Sequence, residues 1–338
     1  MQFSSAIAPT STLDNLVRRY LAKFYEPRPA FDMNVARAVI FGFFIYKLLS
    51  RDFAFFGYVP AVVFQHYPVH IYSPSTYVVI TGVQVLMDLF IFHWVHWFLP
   101  LPGPAVLSGI QIATICACLL VVLFGRGPRR VFVITAYVGV LYLWGFVFRS
   151  GQEIDAMFLM QGCALVYCFS EHREANIFGL GALAAEPPTA AAGWTYSAFL
   201  MIFVLYYFGS GMNKISDLYP NAWFHYRLIE SIEYARERFL AGHYRAIPAL
   251  FDYLRGQYWL NYVGPPLVYV SHLFMPLLFV WRSQLLKAAI FYAAFHFLAI
   301  GVGISFVANF IAWLIFVPYA RAYRRRPGAP PLTAPAAT

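Results

Sequence analysis

Charged residues are scarce in this chain. Asp, Glu, Lys and Arg make up 12% of its 338 residues, whereas a soluble domain carries about 25%. This deficit excludes an ordinary soluble globular domain. Acidic residues are the scarcer kind, with 15 against 24 basic ones and a net charge of +9. We nevertheless expect no nucleic-acid partner, because the basic residues gather beside apolar runs and in the C-terminal tail, where they set topology and contact membrane lipids.

Cysteine is also scarce, and its placement excludes one class of enzyme. The four cysteines lie inside apolar runs, and no two of them form a C-x-x-C pair. A thiol relay that oxidises or reduces disulfides therefore has little support. We interpret the cysteines as small core residues, and the sequence indicates no set of metal-ligating residues.

Apolar residues, in contrast, dominate the chain. They make up 61% of it, and the mean hydropathy is +0.62. Runs of about 16 to 25 apolar residues predict helical membrane spans rather than a β-barrel. The sequence therefore predicts an all-α, polytopic integral membrane helical bundle of about nine transmembrane helices, which we expect in a bacterial inner (plasma) membrane. The predicted spans lie near residues 34–56, 77–99, 105–124, 130–149, 154–170, 194–214, 262–281, 284–302 and 304–320.

The rest of the chain divides around this single transmembrane domain of residues 33–320. Residues 1–32 begin polar and then predict a short amphipathic helix at the membrane surface. Residues 215–260 form an insertion rich in Tyr, Trp and Arg, which we interpret as interfacial helices. The tail of residues 321–338 is basic and then rich in Pro and Ala, so we expect it to be disordered.

Basic residues beside the spans bear on orientation. With nine spans, the loop after Lys214 opens on one side, and the other side holds a basic cluster that includes Arg130, Arg282 and Arg324. The positive-inside rule predicts that this basic side is cytoplasmic and that the Lys214 side faces outward. The N-terminal Arg28 contradicts this assignment, because the same count places it on the outer side. Either the number of spans is off by one or the N-terminal helix has little influence on topology, so both orientations stay open.

The stretch YFGSGMNKISD, which starts at Tyr207, carries the first candidate site. It ends a long apolar run, and on a helix Tyr207 shares one face with residues three, four and seven positions on: Ser210, Gly211 and Lys214. The neighbouring Asn213 adds an amide. Lys214 is interpreted either as a reactive amine or as an anchor that extends its ammonium to the membrane interface.

Polar residues inside other predicted spans are further candidates. Asp88 lies near the middle of the second span, where a carboxylate is costly unless it is protonated, paired or in a cavity. It is either an intramembrane acid or a neutral packing residue. His93 and His96 end the same span among tryptophans, which favours an interfacial position over haem ligation.

Two more groups of residues are predicted to open on the Lys214 side. Glu153 and Asp155 follow Arg149 at the start of the fifth span. They form either an interfacial ion pair with this arginine or a site with acid–base or cation-binding capacity. His296 and Tyr292 are one turn apart, and a break near Gly303 follows them, where backbone can approach a ligand closely. A lone histidine in this position also suits a polar contact between helices.

Several segments, through their order and spacing along the chain, resemble one family. They are YFGSGMNKI (from Tyr207), HLFMPLLFVWRSQLLKAAIFYAAFHFLAIGVGISFVANFIAWLIFVP (from His272) and ARAVIFGFFIYKLLSRDF (from Ala36). Together they resemble the vitamin K-dependent γ-carboxylase-like proteins, also called the horizontally transferred transmembrane domain, over about residues 33–320. The family's large domain after the last span has no counterpart here, so a short bacterial-type member is expected and a protein substrate is doubtful.

The resemblance implies roles for particular residues. Lys214 matches the lysine regarded as the base that starts hydroquinone oxygenation, and His296 matches a histidine of the penultimate span. Burial disfavours the charged form of a lysine, so its neutral amine can accept a phenolic proton. A reduced quinone is the implied cofactor, and the substrate is expected to be a hydrophobic quinol or isoprenoid. The family's Asn-His pair at the start of its fifth span has no counterpart here, where residues 150–153 read SGQE.

Two alternatives to this enzyme remain. One is a membrane-bound isoprenoid (terpene) cyclase in which Asp88 protonates an alkene or epoxide. The other is a non-enzymatic transporter, lipid-binding or immunity-type membrane protein. The cyclase requires Asp88 more than Lys214, and the non-enzymatic protein tolerates arginine in place of Lys214.

Overall fold

The computed structural model describes residues 12–60, 99–125, 130–149, 157–216, 256–301 and 307–325, together with Phe64, Val95, His96, Ala249 and Tyr253. These residues form helices and turns and contain no β-strand. The helices are α1 Thr12–Phe24, α2 Ala30–Leu49, α3 Pro104–Phe124, α4 Arg130–Arg149, α5 Phe158–Phe169, α6 Leu180–Ala184, α7 Ala190–Ser216, α8 Tyr258–Leu273, α9 Leu277–Val280, α10 Leu285–Gly301, α11 Val307–Trp313 and α12 Tyr319–Arg324. The all-α prediction is confirmed for this part of the chain.

Three of these helices are long and apolar enough to cross a membrane: Pro104–Phe124, Arg130–Val147 and Ala190–Met212. Each corresponds to a predicted span. Two shorter apolar helices, Phe158–Phe169 and Val307–Phe316, lie beside them. A membrane association is thus supported, whereas the predicted count of nine spans is not confirmed.

Helices α2 and α3 run antiparallel and define the two ends of the bundle. Arg37, near the start of α2, donates to the carbonyl of Val122 near the end of α3 at 3.4 Å. At the other end, Gln111 of α3 donates to the carbonyl of Leu48 at 2.7 Å. We call the end that contains Arg37 the basic end and the end that contains Leu48 the opposite end.

The N-terminal segment lies at the basic end, whereas the parity count placed it at the opposite end. Arg28 pairs with the backbone of Thr189 just before α7, and Arg282 lies within 3.5 Å of Glu26. The parity count with nine spans has one span, 77–99, between Gly57 and Pro104, which would put these two residues at opposite ends. In the structure Gly57 packs directly against the backbone of Pro104. Residues 77–94, 97 and 98 lie outside the described part.

The tail begins later than predicted. Residues 319–324 form α12, which extends four residues into the segment expected to be disordered. Asp32 of α2 explains this helix, because its carboxylate accepts the backbone N–H of Ala320 at 2.7 Å and satisfies one of the donors at the start of α12. Residues 326–338 lie outside the described part, as does most of the insertion 215–260.

The N-terminal amphipathic helix is confirmed as a helix, α1. It packs on the rest of the protein through its last turn, where Tyr20 stacks on Phe279 with ring centroids 4.8 Å apart. Ser197 of α7 also donates to the carbonyl of Phe24 at 2.7 Å. On the remaining surface of α1, Val17 and Leu21 are exposed apolar residues, as an interfacial helix requires.

Candidate functional site

Helix α7 carries the Tyr207 stretch without a break. The two glycines of this stretch do not end the helix, which continues to Ser216. Tyr207 and Gly211 are buried and Ser210 is half-buried, whereas Met212 is exposed. The predicted face of small and phenolic groups therefore points into the bundle.

The hydroxyl of Tyr207 has two partners from other helices. It accepts the indole N–H of Trp313 at 2.9 Å, and it lies 3.5 Å from Nε2 of His296. Because an indole nitrogen only donates, the proton of the Tyr207 hydroxyl remains available for Nε2 of His296. This order requires the His296 tautomer that carries its proton on Nδ1. The result is a directed chain from Trp313 through Tyr207 to His296.

The ring of Tyr292 stacks within the same group. It lies 5.0 Å from the Trp313 ring with an interplanar angle of 7°, and 5.9 Å from the ring of His272 at 28°. The His296 ring is 6.2 Å from it at 29°. Offset stacking at these separations is favourable beyond simple area burial. We call Tyr207, His272, Tyr292, His296 and Trp313 the aromatic–histidine cluster; all five are buried.

A second hydrogen-bonded chain fixes Tyr292. Its hydroxyl donates to Oγ of Ser271 at 2.8 Å, and Ser271 in turn donates to the carbonyl of Val268 at 2.7 Å. Since a buried hydroxyl without a partner is costly, this chain holds the Tyr292 ring in one orientation. Helices α8 and α10 are thereby joined beside Tyr207.

Gly211 allows α7 and α8 to approach closely. A Cβ at this position would come within 3.0 Å of Cβ of His272 and 3.3 Å of the backbone nitrogen of Leu273. Gly209, in contrast, has open space where a side chain would be. The first glycine of the motif is therefore replaceable on steric grounds, and the second sets the packing of His272.

The predicted base belongs to the same helix. Lys214 and Asn213 lie on the helical backbone of α7, and Lys214 is two turns beyond Tyr207 in the direction of the opposite end. Their side chains lie outside the described part. So do Asp88, Glu153, Asp155 and Gly303, although α10 ends at Gly301 close to the predicted break.

His96 is engaged by protein groups on both ring nitrogens. Nε2 lies 3.1 Å from the hydroxyl of Tyr142, and Nδ1 lies 3.3 Å from the carbonyl of Leu99. These contacts join His96 to Tyr142 of α4 and to the backbone before α3. Among the described residues, no group of three His, Cys, Asp or Glu side chains is arranged to hold a metal ion.

Sequence reasoning missed a buried charged network near the basic end. Arg37 donates to Asn34 at 2.9 Å and to the carbonyl of Ala175 at 2.9 Å, and its Nη1 is 3.7 Å from Glu174. Tyr167 donates to the other oxygen of Glu174. The signal was a lone arginine inside the first apolar run, since a buried charge needs partners.

It also missed Lys47 and Trp313. Lys47, near the end of α2, is buried, and its ammonium is 5.9 Å from the centre of the Phe43 ring. Trp313 lies in an apolar run that gave no reason to select one aromatic residue over another. Its role depends on which helix faces α7, which periodicity alone does not tell.

Comparisons with known proteins give no relative for this chain. No protein-family model matches it, and neither the curated proteins nor the solved structures contain a significant match.

Proposed function

We propose that this protein is a membrane-embedded enzyme of the vitamin K-dependent carboxylase-like type that acts on a hydrophobic quinol or isoprenoid. The observation that carries the proposal is the cluster at Tyr207. Three residues selected from two separate segments of the sequence, Tyr207 in one and Tyr292 with His296 in the other, contact one another. Tyr207 lies on the helix that continues to Lys214.

In this proposal Lys214 is the general base. A neutral amine removes the phenolic proton of the quinol, which yields an ammonium group and a phenolate. When bound, the reduced quinone supplies this phenolate, which is the species that reacts further. The proposal requires the amine of Lys214 to be buried, because burial disfavours the charged form of a lysine.

In this proposal His296 and Tyr207 supply a proton path, and Tyr207 lies two helical turns before the base on the same helix. The Tyr207 hydroxyl keeps its proton directed at Nε2 of His296, since Trp313 occupies its acceptor side. Tyr292 stacks on both the indole and the imidazole and restricts their rotation. These residues position groups and exclude water, which is how a buried site strengthens its hydrogen bonds.

The test compares quinol consumption by the purified full-length protein in lipid nanodiscs. Lys214→Ala and Lys214→Arg should both lower the rate by about 100-fold or more, because a positioned base contributes that much and arginine stays protonated. The matched control is Lys287→Ala, which removes an exposed lysine of α10. Full activity of Lys214→Ala or of Lys214→Arg would remove the base assignment, and a parental protein that consumes no quinol would favour a non-enzymatic membrane protein.

An isoprenoid cyclase is the second candidate, and one observation favours it. Tyr207, Tyr292 and Trp313 are buried aromatic residues, the type that stabilises a cationic intermediate through cation–π attraction. Two substitutions distinguish the cyclase from the carboxylase-like enzyme. The cyclase loses its activity in Asp88→Asn and is only weakened in Lys214→Ala, which is measured as cyclic products formed from prenyl diphosphates or epoxides.

A further inference from the structure

Two arginines converge on one carboxylate at the basic end. Nη1 of Arg282 is 3.5 Å from Oε2 of Glu26, and Nη2 of Arg28 is 3.9 Å from the same oxygen. Both separations are long for a charge-assisted hydrogen bond, which is typically about 2.7–2.9 Å. One half-exposed carboxylate therefore faces two guanidinium groups and forms a short hydrogen bond with neither.

The two guanidinium groups are held in place by the protein. The Arg282 side chain is 4% exposed, donates to Oγ of Ser197 at 2.9 Å and lies over the Phe279 ring at 4.8 Å. Arg28, whose side chain is 28% exposed, lies over the Tyr196 ring at 4.6 Å. Its buried Nε has no hydrogen-bond partner among the described residues. The positive charge is thus preorganised, and part of its donor capacity is unused.

The nearest other charges do not neutralise this pair. Asp32 interacts electrostatically with Arg28, but it also interacts with Arg324, and its carboxylate accepts the N–H of Ala320. Together with Arg282 this gives three guanidinium groups against the two carboxylates of Glu26 and Asp32. The excess is positive and lies within reach of a ligand that approaches past Glu26.

The position of the pair beside α1 indicates the ligand. The last turn of α1 is fixed above it by the Ser197 bond to Phe24, and the exposed surface of α1 combines Val17 and Leu21 with Arg18. Such a helix lies in the headgroup region of a membrane. A phosphodiester presents acceptor oxygens that match guanidinium geometry, and the cytoplasmic leaflet, which the basic end is expected to face, carries anionic lipids.

We propose that Arg28 and Arg282 bind the phosphodiester of an anionic phospholipid, whose acyl chains lie against the apolar surface of α1. Glu26 acts as a stand-in for the phosphate and rotates outward when lipid binds. This lipid site is separate from the aromatic–histidine cluster and does not depend on the proposed enzymatic function.

Native mass spectrometry of the full chain in mixed micelles tests the proposal, with palmitoyl-oleoyl phosphatidylglycerol and the matching phosphatidylcholine as probes. Arg28→Gln should weaken retention of phosphatidylglycerol by about fivefold, as expected for one basic residue at an anionic surface. Arg321→Gln, an exposed arginine of α12, is the charge-matched control and should change retention less than twofold.

Glu26→Gln is the more discriminating variant, because it removes the competing carboxylate. It should tighten phosphatidylglycerol binding without changing phosphatidylcholine binding. Equal effects of Arg28→Gln and Arg321→Gln, or weaker binding in Glu26→Gln, would overturn the proposal. So would displacement of the lipid by millimolar inorganic phosphate, because the site would then serve a soluble anion. Arg28→Lys preserves the charge and should retain part of the phosphatidylglycerol binding. This result would show that Arg28→Gln loses binding through its missing charge and not through a failure to fold.

Discussion

Trp313 donates its indole N–H to the hydroxyl of Tyr207 at 2.9 Å across 106 positions of the sequence. This bond joins α11 to α7 in the interior, where neither group reaches water. Its contribution is therefore best judged by what happens when one partner is removed. A buried donor that loses its acceptor costs about 1–3 kcal/mol.

The first prediction follows from this asymmetry. Tyr207→Phe leaves the Trp313 N–H without its acceptor and should lower the free energy of unfolding by about 1–3 kcal/mol. Trp313→Phe should lower the free energy of unfolding by a comparable amount, chiefly because packing is lost. The double variant should cost less than the two single changes added together, since the orphaned donor is then absent. Unfolding in detergent gives the three values, and strict additivity would show that the hydrogen bond contributes nothing.

The second prediction concerns the Arg37–Glu174 pair. Arg37→Met should be strongly destabilising, by about 3–5 kcal/mol, because it leaves Glu174 buried without its counter-charge and several acceptors unfilled. Glu174→Gln should cost less, since an amide oxygen still accepts the Tyr167 hydroxyl. Thermal unfolding of the two variants measures the difference. The reverse order of stabilities would mean that the ion pair is not what holds Arg37.

Residue periodicity and composition predicted the long helices and the interior face of α7, because apolar runs and small residues are local properties of the chain. They placed Tyr207 on one helix, and Tyr292 together with His296 on another, as the structure has them. They did not predict that these helices meet, nor the part played by Trp313. Helix pairing depends on packing between distant segments, which a single sequence does not encode locally.

Charge patterning was less informative than hydrophobicity for the same reason. The basic residues indicated one end of the bundle, but one assumed crossing between Gly57 and Pro104 placed Arg28 at the wrong end. An error in one span reverses every earlier assignment, since sides alternate with each crossing. Likewise, Asp32 gave no sign that it would cap a helix 288 positions away.

The third prediction is a pH dependence from Asp32. Burial raises the pKa of this carboxyl to about 6, although the Ala320 N–H, Arg28 and Arg324 oppose the shift. The folded state then binds more protons than the unfolded state between about pH 4 and pH 6, so stability should fall as the pH rises through this window. The loss is at most about 3 kcal/mol, given about 1.4 kcal/mol per pKa unit.

The pH dependence should disappear in one variant and persist in its control. Asp32→Asn keeps an oxygen that accepts the Ala320 N–H but cannot titrate, so its free energy of unfolding should be flatter between pH 4 and pH 6. Glu171→Gln removes an exposed carboxylate and should retain the parental slope. A slope that is the same in all three proteins would assign the effect to other groups.

The fourth prediction uses Gly125, which ends α3 with φ of 73°. Gly125→Ala should be destabilised by about 1–3 kcal/mol, because L side chains disfavour this conformation and a Cβ would collide with Nη1 of Arg37. Gly42→Ala in α2 is the control: it meets no atom within 4 Å and should be neutral or stabilising. The difference in melting temperature measures the effect, and equal melting temperatures would contradict it.

The fifth prediction separates the two glycines of the Tyr207 stretch. Gly211→Ala pushes a methyl group against Cβ of His272 and the backbone of Leu273, so α8 must shift by a few tenths of an ångström. Such a shift moves His272 and loosens its stacking on Tyr292, and near reacting groups small displacements carry large rate penalties. Gly209→Ala meets open space two positions earlier and should leave both stability and turnover unchanged. Quinol consumption that drops about tenfold or more in Gly211→Ala alone would place the catalytic geometry at the contact between α7 and α8, whereas equal activity of the two variants would show that the close approach at Gly211 serves packing only.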